Sequence, residues 1–212
     1  MIRILVTGAS GFLGEHLVKE LYGAGYVVRA LVRELSHTIS FPADVEVVVG
    51  DLRDARAMRV VTAGCAGVVH LAGKAHVLDE KQSEAPDYNG INVVGTQNVL
   101  EGAVASGASR VVFASTVKVF GETTVGCVDE SQPPLPETPY AQSKWAAEQL
   151  VRDYARKAGF TAVSLRLPMI YGPTQKGNLF RMIAAIDQGR FPPLPQTKRH
   201  GGESRFSCIV PH

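Results

Sequence analysis

The chain has 212 residues, 45% hydrophobic and 20% charged, with Lys+Arg 22 against Asp+Glu 20 and a formal net charge of +2. This composition excludes disorder, provides apolar material for one large core, and is too evenly charged for a nucleic-acid groove or a polybasic membrane surface. No apolar run approaches the roughly 18 to 20 residues that a membrane-spanning helix needs.

The N-terminal Met1-Ile-Arg-Ile-Leu-Val enters a structured pattern at once, without the features of a cleaved leader. Cys65, Cys127 and Cys208 are odd in number and widely spaced, which argues for a reducing compartment and a cytoplasmic location. The six histidines are equally scattered, and no metal site is expected.

Short apolar runs alternate with amphipathic stretches, the signature of βαβ units and a parallel sheet. Strands are predicted at Ile2–Val6, Tyr26–Val32, Val45–Val49, Val68–Leu71, Arg110–Ala114 and Val163–Leu167. Helices are predicted at Gly14–Tyr22, Val93–Ser106, Thr138–Ala158 with Gly159 as its stop, and Leu179–Gly189. Glu130–Pro139 holds prolines at 133, 134, 136 and 139 and must be a surface loop. Beyond Gly189 the chain is Pro-rich and then polar, with no further periodic element. Residues 1–170 therefore read as one doubly wound α/β domain, and 171–212 as the start of a smaller, incomplete region.

Three groups of residues carry chemistry. The first is Thr7-Gly8-Ala9-Ser10-Gly11-Phe12-Leu13-Gly14, between the first strand and the first helix. Glycines there allow a tight turn and let backbone N–H groups approach a pyrophosphate at the positive end of the helix. The plainer alternative is a turn that serves strand–helix packing alone. The second group closes the second strand, Ala30-Leu31-Val32-Arg33, where no carboxylate stands to bind the ribose hydroxyls. Arg33 is either a partner for a 2′-phosphate or an ordinary solvated arginine. NADP(H) is favoured on this ground, with NAD(H) as the alternative.

The third group is Tyr140-Ala-Gln-Ser-Lys144, which sets a phenol and an ammonium on one helix face. A neighbouring cation favours the phenolate and lets such a tyrosine exchange a proton with a hydroxyl or carbonyl. Ser115-Thr116 ends the preceding strand, at the edge where open α/β sheets bind ligands. Those hydroxyls either polarise a substrate oxygen or make turn hydrogen bonds.

With Gly50-Asp51-Leu52-Arg53, His70-Leu71-Ala72-Gly73, Asn92-Val-Val-Gly95-Thr96 and Tyr171-Gly172-Pro173 added, the chain resembles an extended short-chain dehydrogenase/reductase of the NAD-dependent epimerase/dehydratase family. The resemblance runs from Thr7 to about Pro195 and implies a Rossmann-type sheet with helices on both faces. It implies cofactor contacts from Gly8, Ser10, Gly11, Phe12, Leu13, Gly14 and Arg33. Asp51 and Leu52 would flank the adenine, and Leu71, Ala72 and Gly73 would form the back wall. Asn92 would support the site, Pro168 would lie near the nicotinamide, and Thr116, Tyr140 and Lys144 would be catalytic.

Ser115, Lys118, Met169, Asn178 and Leu179 fall on the substrate side, the last two within Lys176-Gly177-Asn178-Leu179, which is similar to the nucleotide-holding segment of UDP-glucose 4-epimerase-like proteins. That subgroup includes reductases of 4-keto UDP-sugars. The implied activity is hydride transfer between nicotinamide and C4 of a UDP-sugar, and a homodimer through the Tyr–Lys helix is a further implication. Three departures stand out. Met169 replaces a common substrate-binding Asn, Val32-Arg33 replaces an acid, and the segment from Thr197 lacks the family's Val-Asp-Asp pattern and its further substrate region. A truncated chain is the expectation. The alternatives are an NADPH-dependent reductase of a hydrophobic ketone, similar to dihydroflavonol or steroid reductases, and a dinucleotide-binding protein without turnover.

Overall fold

The computed structural model describes residues 1–35, 40–74, 87–123, 128–172 and 178–190. Six strands form one sheet: β1 (Arg3–Thr7), β2 (Val27–Val32), β3 (Glu46–Val49), β4 (Gly67–His70), β5 (Arg110–Thr116) and β6 (Thr161–Leu167). All neighbours pair in parallel, in the order β3-β2-β1-β4-β5-β6. The chain winds outward from β1 to β3 and then crosses back to place β4 on the other side of β1. The crevice beyond the carboxyl ends of β1 and β4 is thus the topological switch point, where doubly wound sheets bind ligands.

Strand alternation builds two cores. Leu5, Leu31, Val68, Val111 and Phe113 face α2 (Ala55–Thr62), α3 (Gly95–Ala105) and α4 (Pro139–Ala158), meeting Met58, Val61, Leu100 and Val151. Val6, Val28, Ala30 and Val32 face the other way, against Val18 and Leu17 of α1 (Phe12–Gly23). That second face thins out at β6, where Val163 and Leu165 are exposed. The expected doubly wound sheet with helices on both faces is what the chain forms.

Several boundaries differ from expectation. The first helix begins at Phe12 rather than Gly14, so Phe12 and Leu13 belong to its first turn. The helix expected at Val93–Ser106 is preceded by a wider π-helical turn, Asn89–Val94, and α3 proper spans Gly95–Ala105. A short helix, α2, fills a stretch for which the sequence pattern predicted no element; Asp54 caps it by accepting from the Arg56 and Ala57 N–H groups. The long helix α4 begins after Thr138, whose hydroxyl accepts from the Ala141 N–H, and ends at Gly159. The last helix, α5, spans Asn178–Asp187. The Pro-rich tail after Arg190, Cys127, Cys208, Lys176 and Gly177 lie outside the described residues. Among the described residues no helix is long and apolar enough to cross a membrane, and no cluster of His, Cys, Asp and Glu could hold a metal ion.

Candidate active site

The site is built where β1 turns into α1. Gly8 has φ 68°, and a Cβ there would come within 2.7 Å of the Ala72 nitrogen. Gly14 faces the same turn from the helix, and a Cβ on it would meet the Ala9 Cα at 2.7 Å. These two glycines let the turn, the helix and the segment after β4 close on one another. Gly11 precedes the helix without a side-chain cap, so the N–H groups of the first turn point at the cleft with the positive end of the helix dipole.

Behind the turn runs a buried relay. The Ala72 N–H donates to Thr7 Oγ1 (3.2 Å), which lies 2.6 Å from His70 Nδ1; His70 Nε2 lies 2.9 Å from Thr96 Oγ1, which donates to the Asn92 carbonyl (2.6 Å). The directions close with His70 neutral and its proton on Nε2, Thr7 donating to Nδ1 and Thr96 accepting from Nε2. Burial, with the neighbouring Lys144 charge, holds the imidazole down to about 3. Asn92 extends the frame: its Oδ1 accepts from the Lys74 N–H (2.7 Å), and its Nδ2 donates to the Lys74 carbonyl (3.1 Å) and to Ser143 Oγ (2.9 Å). Ser143 in turn donates to the Tyr140 carbonyl at 2.7 Å. The wall of the cleft and the first turn of α4 are therefore one hydrogen-bonded unit.

At the end of β5, Thr116 Oγ1 accepts from the Lys118 N–H at 3.3 Å and makes a side-chain hydrogen bond with Tyr140. Burial pushes the Tyr140 phenol up, and the Thr116 hydroxyl acts in the opposite direction. One turn further along α4, Lys144 is 5% exposed, with Nζ 4.1 Å from the centroid of the Phe113 ring. Burial brings this ammonium down to about 8, and Glu148 opposes the fall.

These groups line one cleft of about 680 Å³, together with Leu71, Gly73, Lys74, Ser115, Lys118, Glu122, Pro168 and Met169. Ser115 Oγ is buried there with no hydrogen-bond partner. A turn too tight for Cβ atoms, an uncapped helix start and an orphaned hydroxyl on one cleft fit a dinucleotide with a second ligand beside it.

A model of the NAD-dependent epimerase/dehydratase family matches residues 4–206. The chain belongs to this family. It is 34% identical over 196 residues to a UDP-glucose 4-epimerase of Vibrio cholerae, covering 91% of this chain and 58% of that protein. It is also 34% identical over 195 residues to a Stigmatella aurantiaca ketoreductase acting on a farnesylated 3-oxo-dihydroquinoline oxide, covering 90% of this chain and 57% of that one. The solved structure of MoeE5 in complex with UDP-glucose and NAD superposes with a TM-score of 0.76 at 34% identity, covering 86% of this chain and 60% of that one. The chain thus spans less than two thirds of the length of these relatives.

As an epimerase/dehydratase-family cleft, the site gathers most of the expected residues. Gly8, Gly11, Phe12, Leu13, Gly14, Leu71, Gly73, Ser115, Thr116, Lys118, Tyr140, Lys144, Pro168 and Met169 all line it. Arg33 and Asp51 line a separate pocket with Glu34 and Gly50. There Arg53 binds the Asp51 carboxylate at 2.6 Å and, with help from Arg33, holds it below its ordinary range. Ser10 sits within the turn itself, and Ala72 gives its N–H to Thr7 rather than to the cleft. Leu52 is a core residue, its carbonyl held by Asn98 Nδ2 at 2.8 Å. Asn92 is buried behind the wall and reaches the site through Lys74 and Ser143. Asn178 and Leu179 open α5, and their side chains lie outside the described residues.

Sequence reasoning gave no role to Thr7, His70, Thr96 or Ser143. Their signal was present but faint: a polar residue at the last position of two buried strands, β1 and β4, which the sheet register sets opposite each other.

Proposed function

We propose that this chain provides the cofactor-binding and proton-transfer machinery of an NAD(P)-dependent enzyme that acts at C4 of a UDP-sugar, as an epimerase or a 4-ketoreductase. The observation that carries this reading is the convergence of Thr116, Tyr140 and Lys144 on the cleft that begins at the Gly8–Gly14 turn. A bound dinucleotide would supply the hydride acceptor or donor.

The chain's own residues do the rest. Burial keeps Tyr140 a neutral phenol, able to give a proton to a carbonyl oxygen, while the Thr116 hydrogen bond favours the phenolate that takes one back; the Lys144 ammonium one turn along the same helix face is placed to favour it too. Ser115 has a free hydroxyl to offer a substrate oxygen, and Lys118, paired with Glu122 at 2.7 Å, stands at the substrate side. UDP-glucose in the MoeE5 structure and the Vibrio cholerae relative support a UDP-sugar. Arg33, exposed in its pocket with no acid in the preceding strand end, supports NADP(H), although Asp51 shares that pocket. The expected homodimer through α4 belongs to the same proposal.

The ketoreductase relative supports a second reading, reduction of a hydrophobic ketone, and the exposed Met169 and Ile170 beside the cleft suit an apolar substrate. Thermal-shift titration with NADPH, NADH and UDP, singly and in pairs, separates the two. Stabilisation by a dinucleotide that UDP reinforces is the expected result. A dinucleotide response with none to UDP favours the ketone. Tyr140→Phe is expected to lower turnover about 10²- to 10⁴-fold while the dinucleotide still raises the melting temperature. Unchanged turnover would remove Tyr140 from the chemistry.

A further inference from the structure

Counting along α4 in steps of one turn from Tyr140 gives Lys144 and then Glu148, all on one face. Glu148 is 6% exposed, yet its carboxylate is firmly held. Arg166 of β6 grips it with Nε at 3.2 Å from both carboxylate oxygens and Nη2 at 2.9 Å from Oε2. The guanidinium carbon lies 4.6 Å from the Phe120 ring centroid and 5.6 Å from that of Trp145. A buried ion pair is a poor way merely to fasten a strand to a helix, since well-packed apolar residues of the same volume do as well or better. Its position suggests a further duty.

Among the described residues, the groups around Lys144 do not otherwise neutralise it. His70 on β4 is neutral, β5 offers the Phe113 ring, and Tyr140 on α4 is a buried phenol that packs beside Tyr88. Lys74 and Lys118 bring more positive charge to the cleft, and Glu122 is taken up by Lys118. The carboxylate one turn along the same buried face of α4 is Glu148, which Arg166 fixes in place.

We propose that Glu148 is a positioning residue for the reaction: locked by Arg166, its carboxylate keeps Lys144 in the ammonium form beside Tyr140. The same pair ties α4, which carries Tyr140 and Lys144, to β6, whose end leads into Pro168 and Met169. This inference rests on the proton-transfer role assigned above to Tyr140 and Lys144. Burial already draws the Lys144 ammonium down to about 8, and Glu148 acts against that fall. Removing the carboxylate therefore lets Lys144 lose its proton at lower pH, and the alkaline limb of activity moves down with it.

Glu148→Gln strands the Arg166 charge, so three variants are compared: Glu148→Gln, Arg166→Met, and the double variant, in which the buried pair is removed as a whole. Two readouts are taken on the full chain. One is the pH profile of kcat/KM for UDP-glucose and UDP-galactose interconversion. The other is the protonation of Lys144 itself, followed by NMR of lysine labelled with carbon-13 at Cε and assigned with Lys144→Met. The expected result is a downward shift in the Lys144 titration and in the alkaline limb, on the order of one pH unit for Glu148→Gln, where the stranded Arg166 cation adds to it, and smaller but in the same direction for the double variant. Arg166→Met, which keeps the carboxylate, should lose stability without that downward shift. An unmoved Lys144 titration in the double variant, or the same downward shift in Arg166→Met, overturns the proposal. If wild-type protein converts neither sugar, the substrate reading fails by itself, while the lysine titration still decides for or against Glu148.

Discussion

His70 sits fully buried between two threonine hydroxyls, and its environment sets how the fold responds to acid. The folded protein holds the imidazole down to about 3, against an ordinary value near 6.5, so between those limits the unfolded chain binds one more proton. The stability that comes from keeping His70 neutral is complete above about pH 6.5 and is lost as the pH falls toward 3, by up to about 1.4 kcal/mol per pH unit. Urea midpoints measured between pH 6.5 and 5 should fall in wild type and show a smaller slope in His70→Gln. Equal slopes would show that the buried imidazole does not govern this range. At this scale the sequence was legible where the residues that line the cleft follow from local spacing. Tyr140 and Lys144, or the glycines of the turn, declare themselves within a few residues. The role of His70 did not, because its partners Thr7 and Thr96 lie far away in sequence and meet it only through the sheet register and the packing of α3.

The elements show how short-range signals position the site. Helix α4 delivers Tyr140 in its first turn, and that turn is held by the Thr138 hydroxyl on the Ala141 N–H and by Ser143 on the Tyr140 carbonyl. Thr138→Ala should cost about 1 kcal/mol of stability, read as a lowered denaturation midpoint, and should reduce turnover more than dinucleotide affinity, since only the α4 side of the cleft is loosened. An equal loss of affinity would mean that the cap supports the whole cleft. Helix α2 escaped the sequence reading because it has eight residues and a charged, mixed composition. Its apolar face, Met58 and Val61, is too short to establish a period, and the helix is stabilised chiefly by packing on α3. Asp54→Ala should cost a similar amount, about 1 kcal/mol, with no change in turnover. The π-helical turn at Asn89–Val94 was equally hidden. It carries Asn92, whose side chain reaches Lys74 and Ser143, partners far from it in sequence.

For the whole molecule, the decisive feature is that the cleft joins the two halves of the sheet. The glycine turn leaves β1, the back wall leaves β4, Thr116 ends β5, and Pro168 and Met169 follow β6. A ligand there touches both halves, so a dinucleotide at 100 times its dissociation constant should add about 2.7 kcal/mol to unfolding. For a chain of this length that corresponds to a rise of roughly 5 to 10 °C in a single cooperative melting transition. Two separate transitions, only one of them moved by the dinucleotide, would show that the halves do not melt together.

The sequence by itself determined the alternation of strands and helices, and with it the parallel sheet, the glycine turn after β1 and the Tyr140–Lys144 face. Each of these rests on interactions between residues a few positions apart: period, capping, and the backbone freedom of glycine at Gly8. Only the tertiary structure decided which distant residues meet. It set Thr7 opposite His70, placed Asn92 behind the wall, consigned Leu52 to the core, and brought Arg166 onto Glu148. Those pairings depend on strand order and register, which are fixed by the packing of the sheet against its helices and leave no trace in the local pattern.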